Sequence, residues 1–537
     1  MSLENFLKPV LGEIPNIAER DEVEVLRDLP AETAFFALKE ADNDMLLWFF
    51  ENADVEQVQA VLDLECWNGD NFQAERFLNI FHFICKCTPE KLHEYMKDLD
   101  PEIIVRTLIE YTDVFNFDPQ EPPEVEEHRL LLSPDSLYAI IFKSENPELR
   151  ESLMQWLNKI SAVDLQLMRR HLESCRWEQK TEIEEFAYGI KKGRLEDLGF
   201  LDPREAVSMY SRGDAPSFKK QLLENPLPSK SKEESLEALE SIEGAFVPEI
   251  MREPLSESEI FAEALKKITA PSLKEVLLME ALRSMNVSIM ADDLIHEDLA
   301  TIREATDRSR RYLDLGLFYL SEANIDRCTE ILITQSLHSC TRLGWLLVHD
   351  LVKAAKIIRD SVPLHYWNSQ DKALLEALQG RHPELNPMLA KDLGLSNDNL
   401  ISLEAVLKVA ERLNQLSAAG QFFKTKFAET LELNSRPLVE NETLLARLFS
   451  ALAHQVTTGQ FQAKAVTPEV WDKFVQINLE KELKPALKII IQNAPSSAQA
   501  YLEKRFTEAF SEIETYLQNK KTFPDSRFFK ALLLANT

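Results

Sequence analysis

Glycine hardly recurs in this chain. The 537 residues contain 13 glycines, and the tightest pair, Gly189 and Gly193, stands four residues apart. Phosphate loops, dinucleotide fingerprints, kinase glycine loops and hydrolase elbows all need backbone that approaches its ligand without a Cβ. None of those glycine spacings can be written here. A chain so short of residues for positive φ must make few turns that require them, and helix following helix is the economical solution.

Apolar periodicity points the same way. Leu149, Leu153, Trp156, Leu157 and Ile160 form one stripe at 3.6-residue spacing, and Val406, Val409, Ala410, Leu413 and Leu416 form another. Leu502, Phe506, Ala509, Phe510, Ile513 and Leu517 repeat the pattern. No alternating strand stands out, so the expected fold class is all-α.

Helix starts are written as a cap, a proline and an acid: Thr88-Pro89-Glu90, Asp100-Pro101-Glu102, Asn146-Pro147-Glu148 and Thr467-Pro468-Glu469. The cap oxygen accepts a free backbone N–H, proline fits where its missing donor has no partner, and the acid suits the positive helix end. Ser133-Pro134-Asp135 and Asp202-Pro203 are variants. Thr88 to Asp100 and Pro30 to Asp42 are each 12 residues, which implies helices too short to bury an apolar face alone. The expected architecture is multi-lobed, with a short-helix solenoid over 1–117 and a second helical subdomain over 129–212. A linker at 213–234, a long-helix domain at 235–385 and a C-terminal helical domain at 386–537 complete it. The acidic, proline-rich run Phe117–His128 reads as an exposed crossing.

Lys and Arg number 60 against 90 Asp and Glu, a formal charge of -30. Such a field repels nucleic acid and anionic membrane surfaces. The densest apolar runs, such as Met45–Phe50 and Leu137–Phe142, are six residues, against the ~20 of a spanning helix. Six dispersed cysteines suit a reduced, cytoplasmic protein.

Leu29-Pro30-Ala31-Glu32 and Leu99-Asp100-Pro101-Glu102, set among short helices, resemble the N-terminal helical superhelix of MgtE-type magnesium transporters over about residues 23–115. The transporters' nucleotide-binding-like and membrane modules have no counterpart, so their ligands and activity do not carry over. The whole chain resembles an uncharacterised family of large bacterial cytoplasmic proteins. That resemblance rests on Leu62–Asp70, on Leu198–Ala206 with Tyr210, and on Arg311–Leu317, and it implies no activity.

Candidate sites are few. His82, Cys85, Cys87 and His93 gather four donors that suit zinc, although buried structural cysteines explain the same run. Asp293 and His296, like Glu90 and His93, have an i, i+3 spacing that places both groups on one helix face. Trp67 and Asp70 mark a turn after an apolar run, a candidate for partner or cation binding or simply a helix stop over an aromatic anchor. Arg303, Arg308, Arg310 and Arg311 form a compact cluster suited to an anion, with Glu304, Asp307 and Asp314 in reach as local ion-pair partners. No catalytic residue or cofactor is assigned. The leading expectation is a protein-interaction or scaffold role with an unidentified protein partner. The alternative is a metal-ion or small-ligand sensor, or an unrecognised enzyme, with a cleft between helical lobes.

Overall fold

Proline starts the helices where the caps place it. In the computed structural model, helices begin at Pro89, Pro101, Pro147, Pro203 and Pro468. The structure describes residues 21–535 apart from 144, 228–259, 432, 434–441, 520–521 and 526–528. Helices dominate it, and the chain divides into two compact units, Met1–Gly344 and Trp345–Thr537. Within the segment expected as a linker, Ala215–Glu224 is helical, whereas the Ser229–Lys232 run lies outside the described residues.

The described residues of the first unit open with seven short helices: α1 (Glu22–Arg27), α2 (Ala31–Leu38), α3 (Asn43–Asn52), α4 (Val55–Glu65), α5 (Ala74–Lys86), α6 (Pro89–Asp98) and α7 (Pro101–Tyr111). Each packs on the next but one: α1 on α3, α2 on α4, α3 on α5, α4 on α6 and α5 on α7. Helix ends leave carbonyls without intrahelical partners, and here neighbouring helices supply donors. Gln57 of α4 donates to the carbonyls of Leu26 and Leu29 at 2.7 and 2.8 Å. Tyr95 of α6 donates its hydroxyl to Phe50 and Ala53 at 2.6 and 3.0 Å, closing α3. Two cap residues are diverted to such cross-links. Thr88 donates from both its N–H and its hydroxyl to Glu51, and the Asp100 carboxylate accepts from Arg194 at 2.7 Å.

Strands appear where none was expected. Trp67–Asn68 (β1) and Asn71–Phe72 (β2) pair as a hairpin whose turn needs Gly69 at φ 61°. Gly69 and Asp70 are the two loop residues, and a two-residue hairpin turn with positive φ at its first position alone favours glycine there. Farther on, β3 (Thr112–Asn116), β4 (Leu130–Leu132) and β5 (Tyr138–Phe142) form an antiparallel sheet in the order β3-β5-β4. Ser133-Pro134-Asp135 therefore starts no helix. Its serine hydroxyl donates to Asp135 at 2.6 Å and the segment turns β4 into β5. The expectation failed because β5 is apolar on both faces and shows no alternation.

Four further helices follow the sheet: α8 (Pro147–Val163), α9 (Leu165–Trp177), α10 (Lys180–Asp197) and α11 (Pro203–Ala206), with α10 lying on α4 and α7. After α12 (Ala215–Glu224) and α13 (Ile260–Lys267) come the longer α14 (Pro271–Ala291) and α15 (Leu299–Ser321), then α16 (Ile325–Thr334). The unit boundary falls inside α17 (Leu337–Ser361). α15 and α17 meet backbone to backbone at Gly316 and Gly344. A Cβ on Gly316 would collide with the Cys340 carbonyl, and one on Gly344 with the Tyr312 carbonyl.

In the second unit, Asp371 of α18 (Ser369–Ala377) is buried and holds two other helices. It accepts from Arg412 of α19 (Leu403–Phe427) at 2.9 Å and from the Tyr501 hydroxyl of α20 (Ser496–Asn519) at 2.7 Å. A second internal pair, Arg447 with Glu442, is fully buried.

Because rigid backbone opposes each glycine of the α15–α17 crossing, Gly316→Ala and Gly344→Ala are each expected to destabilise the first unit by at least the about 1–3 kcal/mol of core overpacking. Gly189→Ala, on the exposed face of α10 with nothing near its Cβ position and ordinary helical backbone, serves as the comparison. Thermal melts followed by circular dichroism check this, with the two crossing variants melting clearly lower.

Candidate functional site

Four short helices each turn an i, i+4 pair toward one cleft of about 470 Å³ in the first unit: Phe35 and Lys39, Leu46 and Phe50, Val61 and Glu65, Arg76 and Ile80. That spacing puts both members of a pair on one helix face. Phe83 extends the apolar wall, and Asn79, His296, Glu297 and Asp298 extend the polar side. Apolar walls with a few convergent polar groups are the usual make-up of a small-molecule site.

Lys39 caps the end of α2, with its ammonium 3.1 Å from Glu65 and over the Phe35 ring at 4.8 Å from the centroid. Burial pushes the Lys39 amine below its ordinary value, and Glu65 only partly opposes this. Burial alone would raise the Glu65 carboxyl. The interactions with His296 and Lys39 outweigh it and hold Glu65 below the usual carboxylate range.

His296 reaches the cleft from the connection between α14 and α15. Its Nε2 lies 2.9 Å from the Trp67 carbonyl, and a carbonyl only accepts, so Nε2 carries the proton. Nδ1 lies 3.9 Å from Glu65, too far for a hydrogen bond but within ion-pair reach, and makes no hydrogen bond of its own. In the neutral ring Nδ1 is therefore the basic nitrogen. Arg76 donates one Nη1 bond to the Glu65 carbonyl at 3.2 Å, which leaves most of its guanidinium fork for a ligand.

The sequence candidates lie elsewhere or are spent. Trp67 is 3% exposed, beneath Lys191, whose ammonium sits 4.9 Å from the indole centroid and donates to Gly69 at 3.1 Å. Asp70 pairs with Arg204 at 2.5 Å. The turn is thus an anchored helix stop, and its Trp67 carbonyl meets His296 of the cleft. His82 Nδ1 lies 3.0 Å from the Ser152 hydroxyl, and His93 lies 3.5 Å from Asp164. Cys85 and Cys87 are buried, and burial raises both thiols, Cys87 to about 12. The four are not drawn together. Among the described residues, no group of three or more His, Cys, Asp or Glu is placed to hold a metal ion.

On α15, Arg308 pairs with Asp292 at 2.9 Å, and Arg310 and Arg311 each pair with Asp307 at 2.6 Å. Arg303 is exposed on the same helix. Asp293 has φ 57° outside any helix, so it shares no helix face with His296. Lys39, Glu65 and Arg76 were not singled out in the sequence. The legible signal was an apolar residue paired with a charge one turn away on α2, α4 and α5.

A family of unknown function, DUF6178, matches residues 17–535, nearly the whole chain. The chain belongs to this family. No curated protein and no solved structure matches it. The likeness to the MgtE superhelix gains no support from these comparisons. For DUF6178 the cleft is therefore read from its own residues.

Glu65 titrating below its ordinary range gives a signed expectation. Its contribution to stability is present above the unfolded carboxylate range and is lost as pH falls through the folded value. Glu65→Gln removes that dependence and leaves Lys39 without its counter-charge. Carbon-13 NMR of reductively methylated protein should show Lys39 titrating below the exposed lysines, as Lys191 also does where burial pushes it down to about 8, with Lys39 falling further in Glu65→Gln.

Proposed function

We propose that this DUF6178 chain is a small-ligand-binding protein. Its ligand is a molecule with an apolar body and an anionic head. The supporting observation is one cleft that combines the Phe35, Leu46, Phe50 and Phe83 walls with an arginine whose fork is mostly unused. An aryl or alkyl carboxylate would lay its hydrocarbon on those walls and its oxygens on Arg76. Glu297 and Asp298 are exposed, so water screens them from the bound anion. The coupled Lys39, Glu65 and His296 would then lie beside the ligand, where His296 Nδ1 can accept a proton. A sensor and an acid–base enzyme both fit that arrangement.

A protein-interaction role is the second reading, favoured by an apolar sheet face in the same unit. The next-but-one packing of α1 to α7 supports reading them as a superhelical stack. No described helix is long and apolar enough to cross a membrane. The charge of -30 supports reading the chain as one that does not bind nucleic acid, and its six free cysteines suit a cytoplasmic location.

Calorimetry with 3-phenylpropionate and with its neutral amide tests the ligand class. Saturable binding of the carboxylate is expected, with the amide and the Arg76→Gln variant each at least about tenfold weaker, a loss of ~1.4 kcal/mol. Equal binding of acid and amide, or unaltered binding by Arg76→Gln, would contradict the reading.

A further inference from the structure

The three-stranded sheet of the first unit has two apolar faces. One is buried: Val114, Tyr138, Ile140 and Phe142 all point into the core. The other carries Phe115, Leu132, Ala139 and Ile141, since the register sets Phe115 and Leu132 on either side of Ala139, and Asp113 and Leu130 on either side of Ile141. Leu137 continues this face, because the Phe117 N–H donates to its carbonyl at 2.8 Å and extends the pairing. An antiparallel sheet packed on one side normally turns polar residues outward. Here Phe115 is 51% exposed, Leu137 47% and Leu132 37%.

The charge beside this face has one sign. The connection from β3 to β4 exposes Asp118, Glu121, Glu124, Glu126 and Glu127, and residues 117–127 contain no Lys or Arg. The cations next in line are engaged with the sheet itself. Arg129 donates to the Phe142 carbonyl at 2.8 and 3.0 Å, Arg150 to the carbonyls of His128 and Leu130, and Lys143 pairs with Asp113 at 3.0 Å. A second copy of this chain would set two acidic connections against each other, which a -30 chain disfavours. Anionic lipid is repelled by the same carboxylates.

We propose that the outward face of β3-β5-β4 docks a basic amphipathic helix of a protein partner. Leu or Phe at i, i+3, i+4 and i+7 would cover Phe115, Leu132 and Leu137, and flanking Lys or Arg would meet the β3–β4 carboxylates. This rests on the second reading above, and the ligand cleft plays no part in it.

The test uses the full chain and a fluorescent peptide with Leu at those positions and Lys on both flanks, read by anisotropy. Saturable binding is expected. The double variant Phe115→Ser with Leu137→Ser should weaken it at least about tenfold. The triple variant Glu121→Gln, Glu124→Gln, Glu126→Gln should weaken it about threefold and flatten its salt dependence. All these positions are exposed, and unchanged circular dichroism verifies that the variants fold. Three results would overturn the proposal: no saturable binding, equal binding of a peptide whose Leu are replaced by Gln, or equal binding by the double serine variant. Concentration-dependent dimerisation abolished by Phe115→Ser would overturn it too, by making a second copy the occupant. Retained phenylpropionate binding alongside failed peptide binding would sink this inference and leave the cleft standing.

Discussion

Arg194 holds the end of α4 in place. It grips the buried Asp63 carboxylate with two bonds, at 2.7 and 2.9 Å, and reaches Asp100 with a third. Gln59 completes the set by donating to Asp63 at 3.0 Å and accepting from the Asp100 N–H at 3.0 Å. Only the Asp63 side of this pair is deeply buried, so loss of Arg194 leaves a buried carboxylate without its counter-charge and is strongly destabilising. Residues two positions apart on a helix point about 200° from each other. With Asp63 locked toward α10, Glu65 must face the opposite side, where the cleft lies. The same α10 sends Lys191 to the Gly69 carbonyl and over Trp67, which fixes the turn whose carbonyl receives His296. The cleft thus inherits its geometry from an ion pair outside it.

That dependence explains which parts could be read from the sequence. Helices starting at Pro89, Pro101, Pro147 and Pro468 were legible because caps and proline act through adjacent atoms. The stripe on α8 was legible because helical burial repeats every 3.6 residues, and Leu149, Leu153, Trp156, Leu157 and Ile160 are all buried. The sheet was not, since a strand with two apolar faces carries no period-2 signal. The cleft was hidden for another reason. Lys39 and Glu65 are 26 residues apart, and Trp67 and His296 are 229 apart. Each i, i+4 pair shows on its own helix, but only tertiary packing decides which helices face each other.

The charge of -30 finds partial causes in the structure. Some carboxylates occupy first turns, as Glu90, Glu102 and Glu148 do. Others lie buried against arginines, as Asp63 does against Arg194 and Asp371 against Arg412. A third set, from Asp118 to Glu127, gathers on one exposed connection beside an apolar sheet. Arg308, Arg310 and Arg311, which looked like an anion site, are met by aspartates in the same unit. Arginine clusters in so acidic a chain read better as structural pairs until one shows an unused fork, as Arg76 does.

Hydrogen–deuterium exchange of Asp63→Asn against the unaltered chain tests the central dependence most directly. If Arg194 and Asp63 set the frame, the amides of residues 66–73 and 296–299 lose protection together, while those of α18, α19 and α20 in the second unit stay as they were. Unchanged protection at 66–73 in a folded Asp63→Asn protein would contradict the account.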